Sequence, residues 1–193
     1  MSKPTISIIR HGEKPEVQED SGTVVPPLTV LAAGDTGKDD LSPRGWQRAG
    51  ALVRFFAPRG GDHADRPADL FAAQADGEFT SLRTQQTIAP LAALLNLTPT
   101  YPAPPDDVAT AKTAILAAQG PVLVCWEHKN IAKLVTAITG NATLAPHWSG
   151  KRFDMVLVLE HHGGAWSLTQ VPQDLLAGDS KEPLKPRKDG QDY

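Results

Sequence analysis

Residues Thr5 to Glu13 read TISIIRHGE, a β-branched apolar run that ends in an arginine, a histidine and a glycine. Apolar residues on both parities of so short a segment predict a strand covered on both faces, as in the centre of a parallel sheet flanked by helices. Strand interiors avoid arginine and histidine. Arg10 and His11 therefore mark the point where the chain leaves the sheet and polar chemistry can begin.

Working outward, residues 14–41 are rich in Pro, Gly and Asp without a sustained period, so they read as a long surface excursion forming a rim beside that strand end. Ser42 as N-cap and Pro43 at the first helical position open a helix to about Ala57, with Trp46, Ala49, Leu52, Val53 and Phe56 at helical spacing. Asp69–Gln74 predicts a second strand and Thr80–Asn96 a second helix, kinked or shortened at Pro90. A third helix spans Pro105–Gln119, capped near Asp106.

Val122-Leu123-Val124-Cys125-Trp126 is another continuous apolar strand, with Glu127-His128 at its carboxyl end. A short helix over Asn130–Thr139 follows, then strands over Asp154–Glu160 and Ala165–Val171, joined by a turn at His161-His162-Gly163-Gly164. Strands alternating with helices define an α/β protein, in which ligands bind at the carboxyl ends of parallel strands. No repeat or linker divides the chain, so residues 1–178 read as one domain and 179–193 as a charged, loosely ordered C-terminal tail.

Composition narrows the function classes. At 193 residues, 40% apolar and 21% charged, the chain suits one soluble globular domain. A net charge of -3 gives no basic footprint for nucleic acid and no polybasic membrane anchor, so an anionic ligand must be attracted locally. A lone cysteine, Cys125, removes internal disulfides and CxxC metal or redox motifs, and reads as a core residue. The N-terminus lacks a signal-peptide pattern and no apolar run reaches spanning length, which gives a cytoplasmic expectation.

Arg10, His11, Arg83 and His128 come from three separated segments, each at a strand end or a helix start, where an α/β fold can gather them. A phosphate monoester is a dianion. Two guanidinium forks can hold its oxygens, and a neutral imidazole nitrogen can attack phosphorus, while Gly12 leaves room for close approach. His161-His162 offers no ligand set, because adjacent side chains on an extended segment point apart. Gly34-Asp35-Thr36-Gly37-Lys38 lacks the first glycine and the Ser or Thr of a P-loop.

The motifs IIRHGEK, LSPRGWQRAGAL, SLRTQQT (Ser81–Thr87) and VCWEHKN together resemble the histidine phosphatase superfamily, also called phosphoglycerate-mutase-like, over nearly the whole chain. The resemblance implies a three-layer α/β/α sandwich with a mostly parallel central sheet, a phosphohistidine intermediate on His11, and no metal or other cofactor. It places Arg10, Arg83 and His128, with Gly12, around the phosphoryl group of a small phosphorylated substrate. It is a phosphatase-type resemblance. Lys14 and Val17 stand where mutases carry a small hydroxyl residue and an asparagine, and Lys129 follows His128 where the phytase and acid-phosphatase branch carries its aspartate.

The expected activity is phosphomonoester hydrolysis. Its alternatives are phosphoglycerate-mutase-like phosphoryl transfer, or a catalytically weak domain that binds phosphorylated ligands. Three carboxylates are candidates for proton donor or supporting residue: Asp106 and Asp107, after the second helix, and Glu13, beside Arg10. Strand alternation turns Glu127 away from His128.

Overall fold

Ile6, Ile8 and Ile9 are wholly buried, as a doubly covered strand requires, and they form the middle of the sheet. The computed structural model describes residues 3–15, 39–59 and 66–187. Most of the 14–41 excursion, including Val17 and the Gly34–Lys38 run, lies outside the described residues.

The described strands are β1 (Ile6–Arg10), β2 (Asp69–Ala72), β3 (Val122–Trp126), β4 (Met155–His162) and β5 (Ala165–Pro172). The helices are α1 (Pro43–Phe56), α2 (Arg83–Leu95), α3 (Val108–Ala117) and α4 (His128–Thr139), with a 3-10 turn at Ala142–Leu144. The sheet order is β2-β3-β1-β4-β5. β2, β3 and β1 run parallel, whereas β4 is antiparallel to β1 and β5 antiparallel to β4. The sheet is thus mixed, with a parallel centre and an antiparallel hairpin edge. Only Gly163 and Gly164 separate β4 from β5, so antiparallel pairing is the direct solution.

Strand residues of alternate parity enter two cores. Ile6, Ile8, Val122, Val124, Trp126, Met155 and Leu157 pack with Ala111, Ile115, Ile131, Leu134 and Val135 of α3 and α4. Ile9, Leu70, Ala72, Leu123, Cys125 and Val156 pack with Leu52, Phe56, Ile88 and Leu91 of α1 and α2. Cys125 is a buried core thiol, and burial pushes its pKa up.

Several local expectations shift. α1 begins as read, with the Ser42 side chain accepting from Gly45 N and Pro43 at the helix start. α2 runs through Pro90 to Leu95, because its neighbours hold the helix on both sides of the missing donor. The cap of α3 is Asp107 rather than Asp106. His161 and His162 belong to β4, and the turn is confined to Gly163 and Gly164, whose φ values of 58° and 87° suit glycine.

The described part of the charged tail is not loose. Leu184 is 4% exposed and belongs to the α3/α4 core, and its amide donates to Gln170 Oε1 at 2.7 Å. Asp179 pairs with Arg48 at 2.7 Å. Charge density alone suggested a solvated tail; one buried leucine and matched long-range partners overrule it.

Candidate active site

Arg10 lies opposite Trp126 in the parallel register of β1 and β3. The residues that follow, His11 on one strand and Glu127-His128 on the other, therefore leave the sheet side by side. The His11 and His128 rings stand 6.5 Å apart between centroids, edge to face at 78°. Arg83 opens α2, where its Nε donates to Asp40 O at 3.0 Å. His11, Arg83 and Glu127 line one cavity of about 230 Å³, with Asp39, Glu78 and Thr84 among its other walls.

Two glycines permit this approach. A Cβ on Gly12 would meet Gly45 O at 2.9 Å, and one on Gly45 would meet Glu13 O at 2.4 Å. The loop after β1 and the first turn of α1 thus touch backbone to backbone. Gly12 N also donates to Thr87 Oγ1 at 2.8 Å, and Thr87 donates in turn to Arg83 O at 2.7 Å. One hydroxyl ties the loop after β1 to the start of α2, and so His11 to Arg83.

Arg10 is fully buried. Its Nη1 donates to the carbonyls of Ser149, Gly150 and Arg152 at 3.2, 2.9 and 2.8 Å, and its guanidinium stacks 3.7 Å from the Phe153 ring centroid. Nε and Nη2 are buried with no partner among the described residues. Burial first, and Arg83 nearby, lower its pKa to about 10, which still leaves it cationic at neutral pH, while Glu13 and Glu127 act in the opposite sense. Unmatched guanidinium donors are costly in a protein interior, and an anionic acceptor would satisfy both.

His11 Nδ1 lies 2.7 Å from Gly12 O. A carbonyl only accepts, so Nδ1 carries the proton and Nε2 keeps its lone pair. Burial, then Arg10, Arg83 and His128, hold the His11 pKa down at about 3. His128 is likewise lowered to about 3 by burial, Arg10, Lys129, Lys14 and His147, and its buried Nδ1 has no partner among the described residues. Both imidazoles are neutral at physiological pH. Lys14, held below the ordinary lysine value by burial and by Arg83, Arg10 and Lys129, adds to the positive field.

The three carboxylates singled out from sequence stand elsewhere. Glu13 accepts from Arg48 Nε and Nη2 and from Arg44 Nε, at 2.8 to 3.1 Å. It braces α1 rather than hydrogen-bonding to Arg10. Asp107 is exposed and caps α3 by accepting from Thr110 N at 3.0 Å, a bond that lowers its pKa; Asp106 beside it is also exposed. Neither lines the cavity. Glu127 does, at the N-cap position of α4 just after β3 ends at Trp126, whereas His128, from which strand alternation turns it away, is not among the lining residues.

Sequence reading missed Glu78, Asp39, Thr87 and Phe153. Only Thr87 left a usable signal, one helical turn after Arg83. Among the described residues, no group of three or more His, Cys, Asp or Glu could hold a metal ion, and no helix is long and apolar enough to cross a membrane.

No protein-family model matches the chain, and no curated relative does. Solved structures do. A phosphoserine phosphatase variant from Entamoeba histolytica, in complex with phosphoserine, superposes with a TM-score of 0.53 at 10% identity, covering 86% of this chain and 95% of that one. The alpha-ribazole phosphatase from Shigella flexneri gives 0.52 at 12% identity, over 91% and 99%. An open-reading-frame product from Mycobacterium tuberculosis gives 0.50 at 10% identity, over 86% and 95%. The two named phosphatases are members of the histidine phosphatase superfamily, and the likeness at these identities is one of fold.

Proposed function

We propose that this chain is a phosphomonoester phosphatase that works through a phosphohistidine on His11. The observation that carries the reading is the pair of partnerless buried donors on Arg10, next in the chain to a neutral imidazole whose Nε2 is free of its proton. A dianionic phosphoryl group supplies the acceptors that Nε and Nη2 lack, and Arg83 on the cavity wall adds a second cation. The two cores, drawn from alternate strand residues, support a three-layer α/β/α arrangement around this site.

In the reaction, His11 Nε2 attacks phosphorus as the bond to the leaving oxygen breaks. Arg10 and Arg83 balance charge on the equatorial oxygens, and His128 offers a further hydrogen bond as that charge shifts. Water then cleaves the P–N bond and releases inorganic phosphate. The substrate class is a small phosphorylated molecule.

Rapid-quench labelling with radioactive 4-nitrophenyl phosphate should yield an acid-labile, alkali-stable phosphoprotein in wild type and none in His11→Ala. Turnover of His11→Ala should fall on the order of 10³-fold or more, against roughly 10²-fold for His128→Ala. A panel of phosphorylated sugars, glycerates, nucleotides and peptides should release phosphate without isomer interconversion, unaffected by a chelator. Isomerisation without phosphate release would replace the phosphatase by a mutase. Full turnover in His11→Ala would remove the covalent mechanism.

A further inference from the structure

A phosphohistidine route through His11 leaves one proton unassigned, and the following argument rests on that route. An alkoxide is a poor leaving group, so hydrolysis of an alkyl phosphate needs an acid at the leaving oxygen. Three carboxylates line the cavity: Asp39, Glu78 and Glu127. Asp39 is already engaged, accepting from Thr80 Oγ1 at 3.0 Å and lying 4.0 Å from Arg83 Nη2. Glu78 is exposed on the turn between Asp76 and Phe79, and its carboxyl takes no bond from the described residues.

Glu127 differs from both. It is half-buried between the end of β3 and the start of α4. Its side chain makes no capping bond to α4. Instead Oε2 accepts from Nδ2 of the buried Asn130 at 3.0 Å, which fixes the carboxyl in orientation, while Oε1 takes no bond from the described residues. The same carboxylate acts electrostatically on Arg10, Arg83 and Lys14, the cations gathered around the phosphoryl position.

We propose that Glu127 is the proton-transfer group of the reaction, with Asn130 as its positioning residue. Protonated Oε1 gives its proton to the leaving oxygen as the P–O bond breaks and the bond from phosphorus to His11 Nε2 forms. Water then attacks the phosphoryl group and passes a proton to Glu127, the P–N bond breaks, and phosphate leaves with Glu127 protonated again.

The test separates leaving groups. Single-turnover phosphorylation is measured for wild type, Glu127→Gln, Glu78→Gln and Asn130→Ala, with 4-nitrophenyl phosphate and with glycerol 3-phosphate, each variant's fold being checked by circular dichroism. Glutamine keeps the acceptor that Asn130 requires but has no acidic proton. Glu127→Gln should lose on the order of 10²-fold with the alkyl ester and less than about tenfold with the aryl ester, whose leaving group needs no proton. Asn130→Ala should show the same selectivity at smaller size, and Glu78→Gln should affect both esters alike. Equal losses on both esters in Glu127→Gln, or a selective loss in Glu78→Gln instead, would overturn the assignment. A wild type that forms no phosphohistidine with either ester would instead refute the phosphatase reading, and the acid assignment with it.

Discussion

Arg10 and Arg48 are both buried arginines set around the loop that leaves β1, and their surroundings are opposite in kind. Every donor of Arg48 is matched: Nε and Nη2 to Glu13, Nη1 to Gln173 and Asp179, Nη2 also to Asp179. Burial works against its charge, but the hydrogen bonds from Arg48 to Asp179 and Glu13 raise its pKa above the ordinary value. Arg10 has carbonyls on Nη1 alone, and burial prevails, lowering its pKa. A closed network holds the loop in shape; the one beside it leaves two donors open, which the proposed phosphoryl group would fill. The tetrapeptide Arg10-His11-Gly12-Glu13 therefore has a working end and a scaffold end.

The largest effect should come from the scaffold side. Arg48→Ala strips Glu13 and Asp179 of their principal counter-charge, and urea unfolding should show a loss of about 3 to 5 kcal/mol, as for breaking other buried ion pairs. A midpoint within error of wild type would show that Arg44, 3.1 Å from Glu13, carries the network instead.

Next in size is the working side. In Arg10→Lys an ammonium can still reach the Ser149, Gly150 and Arg152 carbonyls but cannot supply the two partnerless donors. Catalytic efficiency should fall on the order of 10²-fold while stability changes by less than about 1 kcal/mol. Equal damage to both properties would erase the distinction between the two arginines.

The smallest effects lie in the pH dependence of stability. His11 and His128 ionise near 3 in the folded chain and near 6.5 when unfolded, so between those values the unfolded chain binds more protons and stability falls as pH falls. His11→Gln should flatten that slope. Asp179, drawn to about 2 by its bonds from Arg48 and the Leu176 and Leu175 amides despite burial, adds a separate loss as pH falls from about 3.8 towards 2, which Asp179→Asn should remove. Thermal unfolding across pH 2 to 8, with each variant beside wild type, resolves the two windows.

The linear chain determined the periodic features by itself. Doubly apolar runs predict β1 and β3, with β3 read at Val122–Trp126 as found, and the Ser42-Pro43 cap places the start of α1. Those signals are local, arising from side-chain period and cap chemistry within a few residues. Arg10, His11, Arg83 and His128 also stood out, because charged and ring side chains at strand ends and helix starts contradict their apolar neighbours. The packed place of Leu184 and the partners of Glu13 were invisible. Each depends on contacts between residues distant in the chain: Leu184 meets Gln170 across 14 positions, Glu13 meets Arg48 across 35 and Arg48 meets Asp179 across 131. That Asp39, Glu78 and Glu127 share one cavity wall was decided by the packing of the segments that carry them, which lie far apart in the chain. Local patterns choose the elements. Only the packed sheet, by bringing the ends of β1 and β3 together in register, decides which of their polar residues meet and which donors are left without a partner.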